Sequence, residues 1–260
     1  MPQDSNFISI IIATYNVGHL IEKTLLSIYN QTYQNFEIIV IDGTSDVDTI
    51  SYIEKHKSRL TYYVSEPDEG IYDAWNKGLI HAKGRWIAFL GAGDEYLPEA
   101  LHGYISLLSS LPNDIEFISS KVAITNAEGD IMYVRGKPWC WPQFLSSMTC
   151  AHVGALHSRT LFEKYGSFDT TYKIAGDYEF LMRIRNQLNA VFLPMITVHM
   201  LNGGISTSSA ILLEDRKLKI NTGKKPIWKA NFEFIKNYSK RLMRVMYEFF
   251  TKKTSISLRK

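Results

Sequence analysis

One stretch of the chain, Trp86-Ile87-Ala88-Phe89-Leu90-Gly91-Ala92-Gly93-Asp94-Glu95, brings together residue types that do chemistry. An apolar run suited to a buried strand ends in small residues and then delivers a single carboxylate, Asp94. The bare backbone of Gly91, Ala92 and Gly93 admits a bulky ligand, and a carboxylate supplies the hard oxygen that Mg²⁺ or Mn²⁺ prefers. The same pattern also suits a turn whose aspartate caps the next helix. Three further apolar runs end in polar groups, at Thr14-Tyr15-Asn16, at Asp42-Gly43 and at Glu66-Pro67-Asp68. One acidic strand end is explained by a cap; polar groups at four in succession point to a shared ligand.

The elements that must position these groups are read from periodicity. Strands are expected at Ile8–Ala13, Phe36–Ile41, Leu60–Val64 and Trp86–Leu90, with helices at Leu20–Tyr29, Ser51–Lys57 and Ile71–Ala82 between them. That alternation predicts an α/β fold with a mostly parallel central sheet and helices on both faces, in which ligands bind beyond the carboxyl ends of the strands. From Asp114 the pattern becomes antiparallel, with strands at 116–118, 122–125 and 131–134 around the turn at 126–130. The Pro-bounded Trp139-Cys140-Trp141 suits a core lid or a platform for a sugar ring. A strand at Val153–His157, a helix from about Ser158, a helix over Asp177–Gln187 and a strand at Ala190–Val198 complete the globular part. The organisation is therefore 1–113, 114–223 and a basic extension, 224–260.

Hydrophobic content of 45% and charged content of 21% over 260 residues describe an ordinary globular protein. Cys140 and Cys150 fit neither a metal spacing nor a disulfide framework, which points to a reducing compartment. The first residues lack the basic and apolar regions of a signal peptide, and no apolar run approaches the roughly 20 residues that span a bilayer. A cytoplasmic protein is expected. Residues 224–260 hold eleven Lys and Arg against Glu233 and Glu248, a net +9 that leaves −6 on residues 1–223. A helix over 226–250 would gather Trp228, Phe232, Ile235, Leu242, Met246 and Phe249 on one side and Lys229, Lys236, Lys240, Arg241 and Arg244 on the other. That pattern suits a helix lying in an anionic membrane interface, or one docking its apolar face on the domain with its bases solvated. No nucleic-acid motif accompanies the bases, so nucleic acid is not an expected partner. Gly91-x-Gly93 lacks a dinucleotide fingerprint's third glycine, position 96 being Tyr, and follows the fourth strand rather than the first.

Taken in order, Ile8 to Asn16, Gln31 to Glu37, Ile41-Asp42-Gly43, Ser65 to Gly78 (Ser-Glu-Pro-Asp-Glu-Gly-Ile-Tyr-Asp-Ala-Trp-Asn-Lys-Gly) and Gly176-Asp177-Tyr178-Glu179 make this chain resemble a bacterial family 2 glycosyltransferase of GT-A fold over about residues 7–209. The resemblance implies inverting transfer of one sugar from a nucleotide-sugar donor, a UDP-sugar, to a polyprenyl-diphosphate-linked saccharide in surface polysaccharide (O-antigen or capsule) biosynthesis, at the inner face of the cytoplasmic membrane. It implies that Tyr15, flanked by Thr14 and Asn16, stacks on the base and Asp42 bonds its edge. Asp73, Asn76 and Lys77 would meet the ribose and diphosphate, Gly93 and Asp94 the donor and its Mn²⁺ or Mg²⁺. Gly91 and Gly93 stand where many members carry carboxylates, which implies reduced protein ligation of the metal; His199 is a candidate further ligand. Asp177 matches the catalytic base, with an N-cap as the alternative reading. His152, with a structural role as the equal alternative, and Trp139 and Trp141 are candidate acceptor contacts, Arg183 is expected to brace Glu179, and Asn202 to Thr207 resembles a loop that closes on the donor. A sugar- or nucleotide-binding protein with impaired catalysis is the alternative on the same fold.

Overall fold

The computed structural model describes residues 6–204 and 210–257, with side-chain surroundings through residue 243. The first half is a run of parallel strands, β1 (Ile8–Thr14), β2 (Phe36–Asp42), β3 (Tyr62–Ser65) and β4 (Trp86–Gly91), joined by helices α1 (Leu20–Tyr29), α2 (Val47–His56) and α3 (Ile71–His81). All seven residues of β1 are buried, as befits a parallel strand covered on both faces by helices. Helix α2 begins four residues before the expected start, because the Asp46 carboxylate accepts from the Thr49 amide at 2.9 Å and caps it.

The second half is mixed. After β5 (Glu95–Tyr96) and α4 (Ala100–Ser109) come β6 (Phe117–Thr125), β7 (Ile131–Arg135), the short α5 (Trp141–Phe144), β8 (Ala155–Ser158), α6 (Arg159–Tyr165), α7 (Gly176–Ile184) and β9 (Ala190–Leu201). One nine-stranded sheet results, in the order β3-β2-β1-β4-β8-β6-β9-β5, with β7 hydrogen-bonded to β6 off that path. Parallel pairing holds across β3, β2, β1 and β4, and β4–β8, β8–β6, β6–β7 and β9–β5 are antiparallel. Where two strands were expected at 116–125, β6 is continuous, and Lys121 marks a register shift in its parallel pairing with β9. The strand expected from Val153 begins two residues later, because residues 152–154 form a 3₁₀ turn ahead of β8.

The sheet separates two core layers. Ile10, Ile12, Leu25, Ile28, Leu101 and Tyr104 fill one, and Ile11, Ile39, Trp75, Phe89, Phe168 and Phe180 the other. Helices α8 (Ile211–Asn221) and α9 (Ile227–Ser257) follow the sheet. Their junction is ionic: buried Lys219 pairs with Asp215 at 2.8 Å and with Glu233 at 3.3 Å, and Lys225 meets Glu233 at 2.5 Å. The basic extension is thus tied to the domain at its first turns rather than hanging from it. It docks through Ala230 and its polar neighbours, and leaves Trp228, Phe232, Ile235, Tyr238, Leu242 and Met243 51–69% exposed. The side chains of Arg244, Met246 and Phe249 lie outside the described residues. Among the described residues no helix is long and apolar enough to cross a membrane.

Candidate active site

The carboxyl ends of β1 to β4 meet as the alternation predicts. Gly43 N donates to Thr14 O at 2.9 Å, Glu66 N to Asp42 O at 2.9 Å and Ala92 N to Ala13 O at 3.3 Å, so four strand ends share one edge. Asp42 is fully buried. Its carboxylate accepts from Ser45 N at 2.9 Å, from Ser65 Oγ at 2.6 Å and from Ser45 Oγ. A Cβ on Gly43 would lie 2.5 Å from Asp68 Oδ2 and 3.3 Å from the Tyr15 ring, so both side chains would have to shift to admit one. Tyr15 itself is 61% exposed, presenting an aromatic face next to a carboxylate edge. Asn16, with φ of +50°, faces inward to the frame: its Oδ1 accepts from Asp46 N at 2.8 Å and its own N donates to Ser45 Oγ at 2.8 Å.

Helix α3 carries the next group. Lys77 Nζ lies 3.0 Å from Glu66 and 3.4 Å from Asp73, and donates to Pro67 O at 2.7 Å, so the cation is held over the turn by two carboxylates. Asp73 Oδ2 also accepts from Glu69 N at 3.1 Å. Asn76 is committed elsewhere: both ends of its amide are satisfied by the Phe168 backbone at 2.9 Å, and it braces α3 against the segment before α7.

Asp94 is buried at the end of β4, where its Oδ2 accepts from Gly91 N at 3.1 Å. Burial pushes its carboxyl up to about 7, against the pull of amides at Gly91 and Leu201. Gly93 takes φ of +104° and donates its N–H to Thr24 Oγ1 at 2.9 Å. His199 stands in β9 opposite Glu95, so the sheet brings it beside the Asp94 turn. Among the described residues no three potential ligands cluster as a preformed metal cage. A lone, dehydrated carboxylate fits a cation coordinated mainly by phosphate and water, which would reverse the upward push on the acid.

Asp177 lies in the first turn of α7. Its Oδ1 accepts from the Tyr72 hydroxyl at 3.0 Å and from Tyr178 N at 2.8 Å. Burial raises its carboxyl above the usual range, and Tyr72, Tyr178 and the Arg135 charge oppose that rise. Gly176 makes the Tyr72 contact possible, because a Cβ there would come within 2.8 Å of the Tyr72 ring. The loop leading to it is fixed from α8: Glu214 accepts from the backbone amides of Lys173, Ile174 and Ala175 at 2.8–2.9 Å. Arg183 braces Glu179 at 2.8 Å and donates to Tyr165 O and Ser167 O.

His152 departs from its expected acceptor role. It is 6% exposed, stacked on Phe89 at 5.2 Å and packed against Trp75 at 4.9 Å and His157 at 4.8 Å. Inside that aromatic cage burial pushes the imidazole down to about 3, and neither ring nitrogen has a hydrogen-bond partner. It is a core residue, since a hydroxyl-bearing acceptor cannot reach it. Trp139 and Trp141 are half-buried, with Trp139 against Phe144 at 4.4 Å, so they are part lid and part surface. The sequence reading missed Tyr72, Glu214 and Arg135. Tyr72 lies inside the family-like segment 65–78, which is the signal that could have found it; Glu214 sits on α8, whose sequence shows no clear apolar stripe. Of the 202–207 loop, residues 205–207 lie outside the described residues.

Residues 9–141 match the family model described as Glycosyl transferase family 2. The PGL/p-HBAD biosynthesis glycosyltransferase of Mycobacterium bovis is 30% identical over 185 residues, 67% of this chain and 68% of that protein. WfgD of Escherichia coli, a UDP-Glc:α-D-GlcNAc-diphosphoundecaprenol β-1,3-glucosyltransferase, is 35% identical over 124 residues, 47% of this chain and 48% of its own. The fold is shared with the mannosyltransferase PcManGT of Pyrobaculum calidifontis, solved with GDP-Man and Mn²⁺, at a TM-score of 0.62 and 21% identity, covering 87% of this chain and 69% of that one.

Proposed function

This chain belongs to glycosyl transferase family 2 and is a glycosyltransferase, and we propose that it transfers one sugar, with inversion, from a UDP-sugar to a lipid-linked saccharide acceptor in surface polysaccharide biosynthesis. The observation that carries the reading is the Asp177 carboxylate, oriented by Tyr72 and Tyr178 at the site edge. Asp177 takes the proton of the acceptor hydroxyl as that oxygen bonds to the anomeric carbon; the bond from that carbon to the diphosphate breaks, and the nucleoside diphosphate leaves. Tyr15 and Asp42 hold the base, and Lys77, screened by Glu66 and Asp73, lies toward the diphosphate. Asp94, with His199 as a further candidate, would hold a divalent metal, Mn²⁺ or Mg²⁺, which neutralises charge on the departing diphosphate. WfgD's named donor and acceptor support the UDP-sugar and the polyprenyl diphosphate.

The test is a thermal-shift panel of UDP-, GDP-, dTDP- and CMP-sugars with and without Mn²⁺, run on wild type and Asp177→Asn. A ligand at about 100 times its dissociation constant stabilises the native state by about 2.7 kcal/mol. A UDP-sugar shift that grows with metal and survives in Asp177→Asn, with transfer lost, supports the reading; undiminished transfer in that variant removes the base.

The exposed apolar side of α9, flanked by Lys229, Lys236 and Lys240, supports peripheral attachment to an anionic cytoplasmic membrane face, where such an acceptor is presented. Docking through the polar side of α9 disfavours the alternative in which the apolar face packs on the domain. Phe232→Ser with Trp228→Ser should abolish sedimentation with phosphatidylglycerol vesicles, and undiminished sedimentation refutes the attachment.

A further inference from the structure

Among the described residues strand β7 pairs with β6 alone, which leaves its other edge free. Its four consecutive side chains Ile131, Met132, Tyr133 and Val134 are 46–53% exposed. Edge strands are ordinarily protected by charge, proline or brevity. This one carries apolar groups on both faces: Tyr133, opposite Ile124, shares a face with Arg135, opposite Val122, while Val134, opposite Ala123, and Ile131, opposite Thr125 across a register shift, lie on the other.

The strand ends at Arg135. Gly136 follows with φ of +110°, and a Cβ on it would sit on the Ser120 carbonyl oxygen, so the chain turns against β6 immediately after the guanidinium. Lys137 N then donates to Thr149 O at 3.1 Å, and Cys150, in the core layer of Tyr178, points its thiol at Lys137 O. Burial raises both the Asp177 carboxyl and the Cys150 thiol, and the charge of Arg135 opposes both rises. Among the described residues its guanidinium has no carboxylate at ion-pair distance and makes no hydrogen bond. A half-buried cation without an anion beside an intended base is unusual, because guanidinium groups inside a protein are normally paired.

We propose that β7 and Arg135 form the acceptor subsite: Arg135 takes the diphosphate of an isoprenyl-diphosphate-linked saccharide, and the exposed apolar side chains of β7 line the first isoprene units. The inference rests on the glycosyl-transfer reading and adds the residues that select the acceptor. The guanidinium fork matches phosphate oxygens bidentately. Four strand residues extend about 13 Å of apolar surface from that fork, the direction in which a lipid tail must leave. A saccharide on the other side of the diphosphate then reaches Asp177. A second copy of the chain pairing along the free edge would cover the apolar groups, but it would leave the Arg135 guanidinium without an anion.

Calorimetric titration of the full chain with farnesyl diphosphate, in the presence of saturating UDP to fill the nucleotide site, tests the subsite. Arg135→Gln should weaken binding about tenfold or more, with Arg135→Lys recovering most of it. Met132→Ser with Val134→Ser should weaken farnesyl diphosphate severalfold while leaving inorganic diphosphate unchanged. Both variants replace exposed or half-buried groups, and Ile80→Ser on α3 serves as a control that should bind like wild type. The proposal is overturned by a wild type that does not bind farnesyl diphosphate, by variants that bind it as wild type does, or by a Met132→Ser/Val134→Ser chain that sediments as a smaller species, which would make the edge a contact between copies. Nucleotide-sugar thermal shifts on the same proteins separate the two ideas. A wild type that binds farnesyl diphosphate but responds to no nucleotide sugar removes the transfer reading and keeps an isoprenyl-diphosphate site.

Discussion

Asp42, fully buried, and Asp177, half-buried in the first turn of α7, are two carboxylates of the candidate site, and they are held in opposite ways. Asp42 takes its partners from Ser45, three residues on, and from Ser65 on the adjoining parallel strand. Asp177 takes its partner from Tyr72, 105 residues away, and the loop before it is clamped by Glu214, about 40 residues further along the chain. The donor-binding half is built from local, sequential units. The catalytic end is assembled from three separate parts of the chain, so its geometry depends on the packing of all of them.

The contrast makes the catalytic end the place where one substitution does most damage. Asp177→Asn keeps the shape and the Tyr178 amide contact but removes the proton acceptor, so kcat should fall roughly 10²–10⁴-fold with nucleotide-sugar binding intact. Steady-state kinetics beside thermal shifts separate the two. Gly176→Ala strikes the same end sterically. The new Cβ meets the Tyr72 ring at 2.8–2.9 Å, and the ring is wedged among Trp75 and Phe168, so it cannot swing away freely. A loss of about 1–3 kcal/mol in stability is expected, together with a fall in kcat as the Tyr72–Asp177 hydrogen bond breaks. The converse control in the donor half, Ser45→Ala, removes one of several donors to Asp42 and should cost about 1 kcal/mol with kcat unchanged.

Glu214→Gln sharpens the same comparison at smaller cost. The amide keeps the shape but weakens the charge-assisted bonds to three backbone amides of residues 173–175, for which about 1–2 kcal/mol is expected in urea melts. If the clamp positions the base, kcat falls while KM for the donor holds; a uniform loss of stability with unaltered kcat would make it structural only.

These differences also explain what the sequence disclosed. Strand β1, with seven buried residues, and the polar ends of β1 to β4 follow from local periodicity, since burial on both faces leaves a continuous apolar run. The placement of Asp42, Tyr15 and Asp94 at those strand ends was legible for that reason. Helix α4 was missed because Leu101, Tyr104 and Ile105 sit in a segment apolar nearly all round, where no stripe stands out. A histidine's type does not reveal that four aromatic rings, those of Trp75, Phe89, His157 and Phe168, enclose His152; contacts from distant segments settle it. Tyr72 and Arg135 act on Asp177 only once β7, α3 and α7 are brought together. No spacing along the chain encodes that meeting.

The caged histidines give the smallest and most diagnostic effect. Burial holds His152 down to about 3 and His157 well below the ordinary value, whereas the unfolded chain takes up those protons near pH 6.5. Below that pH the unfolded state binds more protons than the folded one, so stability falls as pH drops from about 6.5 towards 3, by up to about 1.4 kcal/mol per pH unit for each histidine. Asp94 works in the other direction. Its folded carboxyl is held up to about 7, so between about 4 and 7 the folded state keeps a proton that the unfolded chain releases, and stability rises as pH falls. The Asp94 contribution is common to wild type and His152→Phe and cancels in their difference. Phenylalanine fits the place between Phe89 and Trp75, so the variant should match or exceed wild type at pH 7 and gain on it by about 1 kcal/mol per unit between pH 6 and pH 4 in urea melts. Parallel curves would mean that His152 already takes up a proton in the folded state, which requires water in the cage and reopens the path from His152 to the acceptor side.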